Sequence, residues 1–188
     1  MDILLFTGYS ATGKSTLAKK LSEHLGYEFI SVRPLLHKIA EDKGYSRIRQ
    51  WLAEEGAENL VQATKTELVR TITERQKLPG AIIDDAFDRG LESIIKSAFP
   101  TDTVLVVALT LDENTREIRM SNRIGRSVDE AREELRLFDG FKMEAGIDEV
   151  ISSADLTIDN LDDPEITLQT LVSQMEGRGS PGGKERLI

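Results

Sequence analysis

The 188-residue chain has no cysteine, two histidines, five prolines and few aromatic residues, 5% in all. Without cysteine there is no disulfide framework and no thiolate metal site, and two histidines leave little for an imidazole cluster. No apolar run is long enough to span a bilayer and no signal-like segment opens the chain, so a cytoplasmic protein without a membrane partner is expected. Excess positive charge is missing too. A net charge of −9 argues against extensive nucleic-acid contact, although a local pocket of amides and cations can still hold a small anion. No Pro/Gly/Ser-rich linker divides the first 176 residues, so one compact domain is expected over 1–176, with a flexible tail over 177–188.

What is present is concentrated near the start. Gly8-Tyr9-Ser10-Ala11-Thr12-Gly13-Lys14-Ser15 fits the phosphate-binding pattern G-x-x-x-x-G-K-[ST] at every specified position. The glycines let the loop wrap a triphosphate with its amides turned inward, Lys14 reaches the β- and γ-phosphates, and the Ser15 hydroxyl coordinates Mg²⁺. The flanks suit this role. Ile3 to Thr7 is an apolar run of strand length, and from Thr16 onward Leu17, Leu21 and Leu25 share one helical face. The helix dipole then aims at the phosphates. Gly8, Ser10, Ala11, Thr12, Gly13, Lys14, Ser15 and Thr16 are therefore the candidate contacts for ATP.

Strands and helices alternate along the rest. Phe29–Val32 reads as a short strand, Pro34 as the start of a helix running to about Lys43, and Arg47 to Gln76 as two helices broken near Gly56. Ala81–Asp85, Val104–Leu109 and Leu156–Ile158 complete five strands, with helices over Glu113–Arg123, Val128 to about Ala145 and Glu165–Met175. Continuous apolar strands between helices predict a parallel sheet covered on both faces, with ligands at the carboxyl ends of the strands.

Two further groups of residues carry chemistry. Asp84 and Asp85 end an apolar strand, where a phosphate-binding loop needs a carboxylate for the Mg²⁺ shell; the pattern leaves open which of them faces the metal. Arg116, Arg119 and Arg123 share a helical face, with Arg126 just beyond Gly125, and guanidinium forks suit a transferring phosphoryl group. A solvated, ion-paired helix face is the alternative for any one of them. Trp51 also has two readings, a base-stacking platform or a core residue, and its neighbour Leu52 favours the core.

Together these motifs resemble the nucleoside-monophosphate kinase group of P-loop kinases over residues 2–172. Asp85-Ala86-Phe87-Asp88-Arg89 is similar to the D-G-F-P-R segment of adenylate kinases, and Ala154 to Asn160 to the A-D-x-x-I-D-N segment of dephospho-coenzyme A kinases. The closest pattern is an archaeal-type, adenylate-kinase-related group, matched by Thr115, Arg116, Arg119, Arg123, Arg126-Ser127 and Gly146-Ile147-Asp148-Glu149-Val150. The resemblance implies a three-layer α/β/α P-loop NTPase fold on a five-stranded parallel sheet. It also implies an acceptor-binding helical region over 33–78 and a short helical lid over 124–140.

For the residues it implies that Arg119, Arg123 and Arg126 clamp the donor and transferring phosphate, Asn160 lies by the adenine, and Arg89 grips the acceptor phosphate. Departures fall on the acceptor side. The usual G-D-x-x-R segment is Arg33-Pro34-Leu35-Leu36-His37, leaving Arg33 and His37 as candidate acceptor contacts.

The expected activity is ATP- and Mg²⁺-dependent phosphoryl transfer to a small phosphate acceptor, a nucleoside monophosphate first, by a monomer or homodimer. Dephospho-coenzyme A or another metabolite is an alternative, as is an ATP-binding switch without a small acceptor. A guanine-selecting N-K-x-D segment does not occur, which argues against a regulatory GTPase.

Overall fold

The computed structural model describes residues 1–75, 79–161 and 163–177. The elements are β1 (Asp2–Thr7), α1 (Lys14–Leu25), β2 (Glu28–Ser31), α2 (Val32–Asp42), α3 (Ile48–Thr73), β3 (Gly80–Asp84), α4 (Leu91–Ala98), β4 (Thr103–Thr110), α5 (Glu113–Ile124), α6 (Val128–Glu144), α7 (Ile147–Ser152), β5 (Leu156–Asp159) and α8 (Pro164–Gly177). Of the tail expected over 177–188, Gly177 instead ends α8, and 178–188 lie outside the described residues. The five strands form one parallel sheet in the order β2-β3-β1-β4-β5.

The strand period of two sorts the apolar residues into two layers. Ile3, Leu5, Ile83 and Val106 face a core built with α2, α3, α4 and α7, whereas Leu4, Phe6, Ile82, Val107 and Leu109 face α1 and α8. On that second face, Leu17 and Leu21 of α1 are buried against Leu168 and Leu171 of α8. This double cover is why the strands read as unbroken apolar runs. Among the described residues, no helix is long and apolar enough to cross a membrane.

Several boundaries differ from the sequence reading, each for a tertiary reason. Val32 opens α2 instead of closing a strand, because the β2 ladder runs out of partner at Ser31 opposite Asp84. Pro34 accordingly sits inside the first turn of α2. Asp85 lies just outside β3 at φ 81, where the Ala86 amide donates to the Phe6 carbonyl at 2.7 Å and turns the chain. The helices α4 and α7 fill stretches that the sequence reading left without an element. Gly56 interrupts α3 at φ 82, the break expected in that region.

Trp51 is a core residue. It is fully buried with Leu60, Leu68 and Ile72 of the same helix, and its ring stacks at 6.5 Å from that of Tyr45. It is therefore closed to a base, which corrects the stacking alternative. Trp51→Ala is expected to lower the unfolding free energy by about 3–5 kcal/mol in a denaturant titration, with Trp51→Phe losing much less.

Candidate active site

The loop joining β1 to α1 is shaped by close backbone approaches. Gly8 has φ 136, and a Cβ there would lie 2.4 Å from the Leu109 carbonyl oxygen of β4. Gly13 has φ 91, and a Cβ there would meet the Asn160 side chain at 2.2 Å. Both positions demand glycine. Ala11 takes φ 62 between them. The loop thus closes tightly onto the N-terminus of α1, where the first amides of a helix suit an anion.

Asn160 and Arg119 brace the far side of the loop. Asn160 follows β5, its backbone amide donates to Thr110 at 3.0 Å, and its Nδ2 donates to the Thr12 carbonyl at 2.6 Å. Arg119 projects from α5 and donates to the Asn160 carbonyl at 2.8 Å. The two residues named by separate motifs therefore meet at Gly13.

Charge is arranged in layers beneath the loop. Lys14 is buried; its Nζ donates to the Tyr9 carbonyl at 2.7 Å and lies 3.5 Å from Asp85 Oδ1. Burial pushes its ammonium down to about 8, with Asp85 working in the opposite direction. Lys142, from α6, reaches the same Asp85 oxygen at 2.7 Å and the Gly8 carbonyl at 3.2 Å. Burial alone would raise the Asp85 carboxyl, but Lys14 and Lys142 hold it below the usual carboxylate range.

Asp84 behaves differently. Burial raises it above the ordinary value, with the hydrogen-bonded Ser15 hydroxyl opposing, and its buried Oδ1 has no hydrogen-bond partner. An orphaned carboxylate oxygen beside a serine hydroxyl, under a phosphate-type loop, fits a hard divalent cation such as Mg²⁺. The two aspartates thus divide: Asp84 and Ser15 are the pair open to a metal, while Asp85 is engaged by two lysines.

Asp139, one turn before Lys142, accepts from the Ser10 amide at 2.9 Å and from Arg116 at 2.6 Å. Arg116 also donates to the Ser10 carbonyl at 3.2 Å and covers the Tyr9 ring. The Tyr9 hydroxyl donates to Asp148 of α7, and burial followed by that bond pushes its pKa up to about 12. Sequence reasoning missed Asp139 and Lys142. Their signal is the buried stripe of α6, Ala131, Leu135, Asp139 and Lys142, in which two charges continue an apolar face at helical spacing.

The remaining sequence candidates are dispersed. Arg123 and Arg126 are exposed at the α5–α6 turn, Arg123 against the Met120 sulfur at 2.9 Å, and neither hydrogen-bonds the loop among the described residues. The expected lid region is mostly α6, which packs on α5, its half-exposed Arg132 paired with the buried Glu117 of α5. On the acceptor side, Arg33 and His37 lie exposed along α2. Arg89 pairs with Glu149 of α7 at 3.2 Å, at the edge of a cavity of about 210 Å³ between α4 and α7. The space between α3 and the β3–α4 loop, where Lys65 pairs with Asp88, is only about 10 Å³.

The AAA_17 family model, described as an AAA domain, matches residues 7–136, from the end of β1 into α6. The chain belongs to the AAA_17 family. Over 138 residues, 72% of each protein, it is 28% identical to the cytidylate kinase of Methanobrevibacter smithii. The UPF0200 protein of Thermococcus onnurineus is 25% identical over 84% of this chain and 88% of that one. A shorter stretch of 77 residues is 36% identical to the shikimate kinase of Chlorobium phaeobacteroides and spans only 38% of that protein.

The solved structure of Aquifex aeolicus shikimate kinase superposes with a TM-score of 0.61 over 96% of this chain and 99% of that one, at 19% identity, which shows a shared fold. The family member described here is a P-loop phosphotransferase of the small-molecule kinase class.

Asp139→Ala leaves Arg116 and the Ser10 amide without their carboxylate. It is expected to cost about 3 kcal/mol of stability by denaturant unfolding, since removing one partner strands the other buried group.

Proposed function

We propose that this family member transfers the γ-phosphoryl group of ATP, with Mg²⁺, to a nucleoside monophosphate. The observation that carries this reading is the glycine-bounded loop with Lys14 beneath it and the Ser15–Asp84 pair beside it, an arrangement with few uses other than holding a metal-bound polyphosphate. The likeness to an archaeal cytidylate kinase over 72% of both chains supports a monophosphate acceptor.

In this mechanism the loop amides from Ala11 to Thr16 and the Lys14 ammonium hold the β- and γ-phosphates, while the Ser10 amide stays on Asp139. Ser15 and Asp84 would hold Mg²⁺, which would neutralise charge on the phosphate oxygens. Arg119 fixes the donor from α5, and Arg123 and Arg126, on either side of the Gly125 turn, reach the γ-phosphate. Arg89, released from Glu149, grips the acceptor phosphate, and Arg33 and His37 are the further acceptor contacts proposed from α2. A phosphate acceptor is already anionic, so attack needs positioning and charge stabilisation but no general base.

A second reading has its own support. The match to a shikimate kinase favours a small hydroxylated metabolite, dephospho-coenzyme A among them, and the altered Arg33-to-His37 segment suits an acceptor other than a monophosphate or an ATP-binding switch. A hydroxyl acceptor would need a carboxylate, Asp84 or Asp85, to take its proton.

Release of ADP from Mg-ATP should be stimulated by one member of a panel of nucleoside monophosphates, deoxynucleoside monophosphates and dephospho-coenzyme A. That stimulation should fall by about 10²-fold or more in Lys14→Ala. A flat panel with intact ATP binding would overturn the monophosphate reading in favour of the switch.

Mg-ATP affinity should also respond to pH. The free protein loses the Lys14 proton near pH 8, whereas phosphate binding needs the ammonium; the Kd should therefore rise above pH 8 by up to about tenfold per unit, and stay flat in Lys14→Arg. Titration of nucleotide binding by calorimetry between pH 7 and 9.5 reads this directly.

A further inference from the structure

Lys142 has no place in the motifs that mark the phosphate site, yet it is bound into that site. Its side chain is 8% exposed, and it spans from the C-terminal half of α6 to two separate parts of the catalytic end of the sheet, the Gly8 carbonyl at 3.2 Å and Asp85 Oδ1 at 2.7 Å. Lys14 approaches the same oxygen from the other side at 3.5 Å and spends its closest hydrogen bond on the Tyr9 carbonyl. One carboxylate thus sits between two buried ammonium groups, and both lysines are tied to adjacent backbone carbonyls of the loop.

The asymmetry of these distances matters. To reach a β- or γ-phosphate, Lys14 has to leave Asp85 and the Tyr9 carbonyl. If it were the only partner, its departure would strand a partly buried carboxylate, which is strongly unfavourable. We infer that Lys142 is a positioning residue of the phosphate site: it keeps Asp85 neutralised and in place, so that Lys14 is free to move to the phosphates.

The surroundings hold Lys142 to that task. Asp139, one helical turn earlier, anchors α6 to the Ser10 amide and to Arg116, so the helix cannot follow Lys14 outward. The Asp85 backbone is fixed in the left-handed region by the hydrogen bond from Ala86 to Phe6, so the carboxylate cannot follow either. Lys142 acts through Asp85 and Lys14 and need not touch the nucleotide.

This inference rests on the phosphate-site reading above, and calorimetric titration of Mg-ATP into the whole chain separates the two. Wild-type binding that Lys14→Ala abolishes upholds the site; no wild-type binding overturns that reading before Lys142 is tested. With the site upheld, Lys142→Met should weaken Mg-ATP binding by about tenfold or more, Lys142→Arg should recover most of it, and Lys142→Met should have no further effect in an Asp85→Asn background. Wild-type affinity in Lys142→Met, or an equal loss with and without the Asp85 carboxylate, would overturn the inference. Melting temperatures of wild type and every variant, measured alongside, report stability separately. Should Lys142→Met fail to fold, the comparison of Asp85→Asn with the double variant and of Lys142→Arg with wild type still decides it.

Discussion

Burying the Lys14 ammonium is the constraint on which the rest of the site depends. An ammonium taken out of water has to be met by oxygens, and here the Tyr9 carbonyl and Asp85 meet it. Asp85 in turn needs a fixed backbone, which the Ala86–Phe6 hydrogen bond supplies, and a second cation, which comes from α6. Each compensation draws in another element, until β1, β3, α1 and α6 are tied to one cluster of charge. The desolvation that lowers the Lys14 pKa also makes its field strong at the loop, because little water remains to screen it.

The fold places this cluster at the carboxyl ends of the strands by simple means. Parallel strands covered on both faces leave only their ends open, and β1 and β3 lie side by side in register from Asp2 opposite Gly80 to Phe6 opposite Asp84. The loop leaves β1 where the aspartate pair leaves β3. On the other side of β1, the Leu109 carbonyl of β4 closes on Gly8 so tightly that no side chain fits there. The loop is therefore over-determined by neighbouring backbones.

The residues proposed for the acceptor are held in looser material. Arg89 and Glu149 form an exposed pair, and exposed pairs contribute little to stability and rearrange easily. Arg33 and His37 are solvated, while Trp51 belongs to the packing of α3. Such surfaces can be re-cut by a few substitutions without disturbing the sheet. This is consistent with relatives named for acceptors as different as a cytidylate and shikimate.

By itself the sequence determined the glycine-bounded loop and the strands and helices around it. The spacing of Gly8, Gly13, Lys14 and Ser15, the apolar runs and the helical stripes are local periodicities, and local backbone chemistry is written residue by residue. It also marked Asn160 and Arg119, which the structure joins at Gly13. Only the tertiary structure gave Asp84 and Asp85 different surroundings, because neighbours in sequence point apart once one is the last strand residue and the other turns left-handed. It alone revealed Asp139 and Lys142 as parts of the site, since their partners lie more than a hundred residues away or on another element. A buried charge declares its function through what it faces, and what it faces is set by packing across the chain, which no local pattern encodes.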